Sequence, residues 1–135
     1  MKPWQQAALF AVAAPPVALA GVTSGLLPPS ASIPLWYLLL AAPFWEEAFF
    51  RGVLQQRMLD HPWGSRRCAG LGLSNWLTGC FFVLVHLPFQ GWRALAIILP
   101  ALALGRLFEQ TRQILPCMLM HSWFNLSWLM ILPFR

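Results

Sequence analysis

Charged residues are scarce in this sequence, and acidic residues are the scarcest of all. Charged side chains make up 10% of the 135 residues, and only four residues are Asp or Glu. An ordinary soluble domain carries about 25% charged residues, and a small domain needs proportionally more polar surface than a large one. The shortage of charge, together with a hydrophobic fraction of 59%, therefore excludes a soluble domain and a disordered tail.

Cysteine is also scarce, and the basic residues are not clustered. Cys68, Cys80 and Cys117 form neither an even disulfide framework nor the paired spacing of a structural zinc site. We interpret each as a small apolar residue within a helix. The formal net charge is +5, but the basic residues are scattered between apolar runs. These observations exclude a disulfide-stabilised secreted module and a nucleic-acid-binding domain, and they indicate basic loops at a membrane surface.

Long apolar runs are what the sequence does contain. A helix that spans a bilayer takes about 20 largely apolar residues. The runs do not alternate apolar and polar residues, as the strands of an outer-membrane barrel would. We therefore predict an all-α polytopic bundle of about five membrane-spanning helices, in one integral-membrane domain over residues 1–135. The predicted spans cover residues 5–22, 33 to at least 50, 69 to about 87, 92–108 and 114–134.

The basic residues predict the orientation of this bundle. Basic loops face the cytoplasm, so the richer side of the predicted bundle is cytoplasmic, and so is the N-terminus. Six basic residues fall on that side and two on the other: Lys2, Arg57, Arg66, Arg67, Arg106 and Arg112 against Arg93 and Arg135.

Residues 1–25 have two interpretations. They form a first span, or they form a signal peptide, because Lys2 precedes an apolar run and residues 18–20 resemble a signal-peptidase site. In both cases residues 33–134 form the core bundle.

Two adjacent carboxylates lie inside the second apolar run. A charged side chain at the centre of a span costs roughly 2.5–3.5 kcal/mol, so Glu46, Glu47 and Arg51 together indicate a functional site. Glu47 and Arg51 are four residues apart in the order that favours an ion pair on a helix. Adjacent helix positions are about 100° apart, so Glu46 points elsewhere. An ion pair that only fixes helix packing would account for Glu47 and Arg51 but would leave Glu46 without a role.

Two histidines and an amide lie in other apolar runs. His86 is near the end of the third run, and His121 and Asn125 share one helix face in the fifth. A single histidine in a span is more often a hydrogen-bonded packing residue. Polar residues on three spans usually face the interior of the bundle, where they can meet. A carboxylate and a histidine that share one water suit hydrolysis, and a second histidine and an amide suit stabilisation of an oxyanion.

These residues lie in three motifs that resemble those of a known family. Residues 46–52 resemble the EExxxRG signature of the CAAX-protease and bacteriocin-processing family of intramembrane proteases. Residues 82–86 match its FxxxH motif, and residues 121–125 match its HxxxN motif, in the family's order. The resemblance implies peptide-bond hydrolysis within the membrane. Glu46 and His86 would activate water, His121 and Asn125 would bind the oxyanion, and Glu47 and Arg51 would support the site.

The resemblance also implies a class of substrate and a location. Members cleave prenylated CAAX tails, mature small peptides, or process C-terminal sorting tails, and no prenyl-specific element is visible here. We expect a membrane-associated protein or peptide as substrate, and a bacterial inner membrane as the location. Many members are much longer, so a partner subunit or an oligomer is expected as well.

Three alternatives remain open at this point. Glu46, His86 and His121 could supply three ligands to a catalytic zinc with an open fourth position, although the HExxH motif is absent; we favour a mechanism without a cofactor. A bacteriocin-immunity protein that acts by binding, or a proton or ion carrier, would also keep buried charges.

Straight spans would not bring the predicted catalytic residues together. Glu46 lies about 13 residues from the outer end of its helix, roughly 20 Å at 1.5 Å per residue, whereas His86 lies near the outer end of its own. On parallel spans they would miss by about 10 Å or more, so a tilt or a kink is expected.

Overall fold

The structure, a computed structural model, describes residues 2–23 and 33–131. Helices account for 85% of the described residues, which confirms the all-α prediction. The described residues form five helical segments: α1 (Pro3–Thr23), α2 (residues 35–59), α3 (Leu73–Gln90), α4 (Ile98–Thr111) and α5 (Ile114–Ile131). A 3-10 helix, Gly91–Ile97, joins α3 to α4.

Two helical stretches are long and apolar enough to cross a membrane, Leu73–Thr111 and Ile114–Ile131. Only 17% of the most apolar window of each is buried inside the protein. The apolar side chains therefore face outward, as expected for contact with lipid and unlike the core helix of a soluble protein. The predicted spans 5–22 and 33 to 50 correspond to α1 and α2, and a bundle of five spans stays a prediction. The predicted end of the fifth span, residues 132–134, lies outside the described residues.

A short β-hairpin connects α2 to α3 and shortens the third predicted span at its start. Strands β1 (Arg67–Cys68) and β2 (Leu71–Gly72) pair antiparallel. Ala69 and Gly70 at the turn both have positive φ, 50° and 82°, as a two-residue type I′ hairpin turn requires. Residues 69–72 therefore belong to the hairpin, and α3 begins at Leu73 rather than at Ala69.

The second helix departs from regular α-helical geometry on both sides of the two glutamates. Tyr37–Ala41 and Ala48–Gln55 are π-helical, whereas Ala42–Glu47 and Gln56–Leu59 are α-helical. π-helical turns are rare and are often found at functional sites. The helix also continues to Leu59, beyond residue 50, the earliest end that the sequence predicts for the second span.

Prolines in α1 and α2 leave backbone carbonyls that α5 satisfies. Pro15 has no N–H to donate to the Ala11 carbonyl one turn earlier, and the Trp123 indole Nε1 donates to that carbonyl at 2.9 Å. Pro43 likewise donates nothing to the preceding turn of α2. There Asn125 Nδ2 donates to the Leu38 carbonyl at 2.8 Å, and Ser122 Oγ donates to the Leu39 carbonyl at 2.7 Å. These bonds tie α5 to both α1 and α2.

Buried polar side chains attach α2 and α3 to the backbone of α4. Arg51 Nη2 donates to the Ala101 carbonyl at 3.1 Å, and Gln55 Nε2 donates to the Gly105 carbonyl at 3.0 Å. Asn75 Nδ2 on α3 donates to the Leu102 carbonyl at 3.0 Å. A Cβ atom at Gly105 would overlap Asn75 Oδ1, so this close approach requires glycine.

Candidate active site

A cavity of about 910 Å³ lies between the helices, and its walls are largely apolar. It is lined by α1, α2, α3, α4, α5 and the 3-10 helix. Four of the six predicted site residues line this cavity, and Gln90 adds a further polar side chain. The four are Glu46 on α2, His86 on α3, and His121 and Asn125 on α5. The structure therefore brings them together from three separate helices.

Glu47 and Arg51 form a fully buried ion pair behind the cavity. Arg51 Nε lies 3.0 Å from Glu47 Oε2, and both side chains are 0% exposed. The guanidinium also lies over the Phe82 ring, 5.9 Å from its centroid, in a cation–π contact. Each buried charge thus has an opposite charge beside it, as the spacing of the two residues predicts.

His121 lies between the two glutamates. Its Nδ1 is 2.8 Å from Glu47 Oε1, and its Nε2 is 3.7 Å from Glu46 Oε2. A carboxylate oxygen accepts, so Nδ1 carries the hydrogen of the first contact. The second distance is that of an ion pair rather than of a hydrogen bond. Glu47 therefore orients the ring so that Nε2 points toward Glu46, whose side chain is 28% exposed.

The orientation of His86 leaves one ring nitrogen free to accept a proton. Its Nδ1 donates to the Phe82 carbonyl at 2.8 Å, because a carbonyl oxygen can only accept. In the neutral ring the lone pair is then on Nε2. The imidazole stacks on the Phe82 ring, with centroids 4.5 Å apart and an interplanar angle of 29°. His86 thus has the tautomer that a general base needs.

Asn125 contributes an amide to the same cavity. One hydrogen of Nδ2 is used by the Leu38 carbonyl, and a side-chain amide has two donor hydrogens. The second hydrogen is therefore available to a group in the cavity. A carboxylate, a basic imidazole nitrogen, a second imidazole and an amide donor make a set that can activate water and stabilise a negatively charged oxygen.

Comparison with known families identifies the family of the chain. The profile of the family described as type II CAAX prenyl endopeptidase Rce1-like matches residues 28–127, well over half of the chain. The chain belongs to the Rce1-like family. The match includes all six predicted site residues. Neither a curated protein nor a solved structure matches the chain significantly. Membership in the Rce1-like family implies a membrane-embedded peptidase that acts on a peptide or protein in a membrane.

The three residues proposed as zinc ligands do not form a metal site in this Rce1-like structure. Within residues 2–23 and 33–131, no group of three His, Cys, Asp or Glu side chains is close enough to hold a metal ion. Glu46 and His121 are near each other, and the bond from His86 Nδ1 to the Phe82 carbonyl leaves Nε2 of His86 free. A mechanism without zinc stays a prediction.

Phe82, the first residue of the FxxxH motif, is part of the site, although sequence analysis assigned it no role. Its ring stacks on His86, lies 6.2 Å from the His121 ring in an edge-on arrangement, and packs against Phe50 at 4.8 Å. It also receives the Arg51 guanidinium. Its place four residues before His86 is the signal in the sequence, because i and i+4 side chains meet on a helix. The ring thus fixes both histidines relative to the buried ion pair.

Gln55 and Asn75 also support the site of this Rce1-like protein, and sequence analysis did not identify them. Both are fully buried and hold α4 close to α2 and α3. Gln55 lies four residues after Arg51 and continues the polar face of α2. That spacing is a usable signal, whereas nothing local to Asn75 indicates that its partner is the Leu102 carbonyl.

Proposed function

We propose that this Rce1-like protein is an intramembrane endopeptidase in which Glu46 and His86 activate a water molecule. One observation carries the proposal: the four predicted catalytic side chains, which come from three helices, line one largely apolar cavity. Burial of isolated polar groups in an apolar wall is costly, and a functional site is the usual reason that a membrane protein keeps them. At about 910 Å³ the cavity is in the range of ligand-binding pockets.

The proposed reaction begins with a water bound between Glu46 and Nε2 of His86. Both groups accept hydrogen bonds, so the water donates both hydrogens and directs a lone pair at the scissile carbonyl carbon. Glu46 takes one proton as the C–O bond forms, and the carbonyl oxygen becomes an oxyanion. Collapse of this tetrahedral intermediate breaks the C–N bond, and the proton held by Glu46 passes to the leaving amine.

The proposed oxyanion site is formed by His121 and Asn125. Asn125 offers the second hydrogen of Nδ2, and His121 offers Nε2 when its ring is protonated. Glu47 holds the ring in this orientation because its carboxylate accepts from Nδ1. Arg51 balances the remaining charge of Glu47. Preorganised donors of this kind supply much of the rate enhancement in acyl-transfer enzymes.

We also propose that the cavity opens toward the outer face of a bacterial inner membrane. The lining residues belong to the later part of α1, the first half of α2 and the last turns of α3, which lie at one end of the bundle. The arginines of the α2–α3 connection and of the end of α4 lie at the other end, which the distribution of basic residues predicts to be cytoplasmic. An exported protein with a cleavable C-terminal tail would meet the cavity on that outer side.

The deciding experiment compares the membrane proteome of cells that carry the wild type with that of cells that carry Glu46→Gln. This change keeps the side-chain shape and removes the base. We expect one protein, or a set that shares a C-terminal tail, to accumulate uncleaved in the variant. Identical protein termini at equal expression would contradict the proposal and would favour binding or ion transport.

A metal chelator tests the mechanism separately. With purified enzyme and the accumulated precursor as substrate, we expect cleavage to continue at an unchanged rate after treatment with 1,10-phenanthroline. Loss of activity that zinc restores would contradict the glutamate mechanism while leaving the peptidase assignment intact.

A further inference from the structure

A second, smaller cavity lies at the opposite end of the bundle from the candidate active site. Its volume is about 170 Å³, it is open to solvent on one side, and it is lined by the end of α2, the β-hairpin and the end of α4. Arg67 and Arg112 are exposed at its rim. A water molecule in the liquid occupies roughly 30 Å³, so this cavity has room for a small polyatomic ion. Its polar lining consists of Ser65, Arg67, Arg106, Glu109, Gln110 and Arg112.

The charges around this cavity do not balance. Glu109 is the one carboxylate in the lining, and both of its oxygens are engaged. Oε1 accepts from the Gly72 N–H at 3.0 Å, and Oε2 accepts from Arg106 Nη1 at 3.0 Å. Asp60, the other acidic residue at this end of the bundle, is not in the lining and accepts from the Gln56 side chain. Three guanidinium groups therefore face one carboxylate.

The arginines keep donors that the described part of the protein does not use. Arg67 Nη1 donates to the Gly70 carbonyl at 2.9 Å, and Arg112 Nη1 is 3.4 Å from Gln56 Oε1. Each guanidinium has five N–H donors, so most of them have no protein acceptor among the described residues. These contacts hold the arginines at the cavity without saturating them.

The backbone at Arg112 has an unusual conformation for a residue with a long side chain. Arg112 follows the last residue of α4 with φ of 54° and ψ of 27°, in the left-handed region. Glycine or asparagine usually takes this position at the end of a helix, because a larger side chain is strained there. Arg112 thus places a guanidinium at the cavity in a backbone conformation that is unfavourable for its side chain.

We propose that this cavity binds a phosphate group. Arginine forks match phosphate oxygens with paired N–H donors, and the excess of positive charge complements an anion that carries one or two negative charges. The site lies at the end of the bundle where the apolar helices finish, so a phospholipid headgroup is one source of the phosphate and a soluble phosphate is the other. Anionic lipids concentrate on the cytoplasmic face, which is the predicted side of this cavity.

The test separates a specific site from the general attraction of a basic surface. The full-length purified chain in detergent would be titrated with phosphatidylglycerol and with phosphatidylcholine, followed by native mass spectrometry. It would be titrated separately with inorganic phosphate, followed by calorimetry. We expect one of two results: phosphatidylglycerol, whose phosphate leaves a net negative charge, binds at least tenfold more tightly than phosphatidylcholine, whose choline cancels that charge; or inorganic phosphate binds saturably. The first result assigns the site to a lipid headgroup, and the second assigns it to a free phosphate.

Three variants make the result decisive. Arg112→Gly removes a guanidinium at a position whose backbone favours glycine, so folding should be preserved. Arg67→Gln removes a second lining arginine. Arg66→Gln is the matched control, because it is exposed at the same end and is not part of the lining. We expect about a tenfold loss of affinity for each lining variant, as for a lost charge-assisted hydrogen bond, and less than twofold for the control. Equal losses in all three variants, or equal affinity for both lipids without any phosphate binding, would overturn the proposal.

Discussion

Asn125 and Ser122 offer a matched pair that separates catalysis from structure. Both side chains lie on α5, and each donates to a carbonyl in the same turn of α2. Asn125 lines the cavity, whereas Ser122 does not. Substitution of either residue by alanine leaves one α2 carbonyl without its donor, at a cost of about 1–3 kcal/mol in the free energy of unfolding. Both variants should therefore be destabilised within this range, with Ser122→Ala at its lower end, because the single hydroxyl hydrogen of Ser122 also has the Met118 carbonyl within reach at 2.9 Å.

Their effects on catalysis should differ. Asn125→Ala also removes the amide hydrogen that we assign to the oxyanion, and loss of one such donor typically lowers kcat by about 10²–10³-fold. Ser122→Ala removes no group from the cavity, so kcat should stay within about threefold of the wild type. KM should change little in both variants, because the oxyanion exists only in the transition state and the intermediate.

The assay is cleavage of the precursor that accumulates with Glu46→Gln, measured with purified protein in detergent. Thermal unfolding of the same samples reports stability. If both variants lose activity to the same degree, Asn125 acts by holding Leu38 and not by stabilising the oxyanion. Near-normal cleavage by Asn125→Ala would refute the oxyanion assignment directly.

Two further predictions concern stability. Trp123→Phe should weaken the packing of α1 on the bundle by about 1–3 kcal/mol, because the Ala11 carbonyl loses its donor. Limited proteolysis should then show earlier cleavage within α1. Trp128→Phe is the control, because its indole nitrogen has no partner among the described residues. Glu47→Met should destabilise the fold by about 3–5 kcal/mol, because Arg51 is left as a buried unpaired charge. The double variant Glu47→Met with Arg51→Met should recover much of that loss in detergent unfolding, and failure to recover would contradict a charge-balancing role for the pair.

Much of the site follows from helical spacing, because contacts four residues apart are local. The ion pair of Glu47 with Arg51 and the shared face of His121 and Asn125 can be predicted in this way. The contact of His121 Nδ1 with Glu47 joins residues 74 positions apart, so it depends on how α5 packs against α2. No local pattern determines that packing.

The expected mismatch between Glu46 and His86 shows what sequence analysis misses. Straight, parallel α-helices would leave these residues about 10 Å apart along the bundle, yet both line one cavity. A rise of 1.5 Å per residue applies to regular α-helices, whereas α2 is π-helical on either side of Ala42–Glu47. The hairpin at residues 67–72 was not predicted either. Residues 69–72 are apolar enough to extend the third predicted span, and the hydropathy of a segment does not indicate whether it pairs as a strand.

Pro43 determines how the side chain of Asn125, the proposed oxyanion donor, is held. In the π-helical turn of α2 the Ala42 N–H bonds to the Tyr37 carbonyl five residues earlier. The next N–H in this pattern would bond to the Leu38 carbonyl, but position 43 is proline and has none, so that carbonyl accepts from Asn125 instead. Any other residue at position 43 would offer a competing donor and free the amide to rotate. Pro43 should therefore be as constrained in sequence as the catalytic residues, although it does not line the cavity.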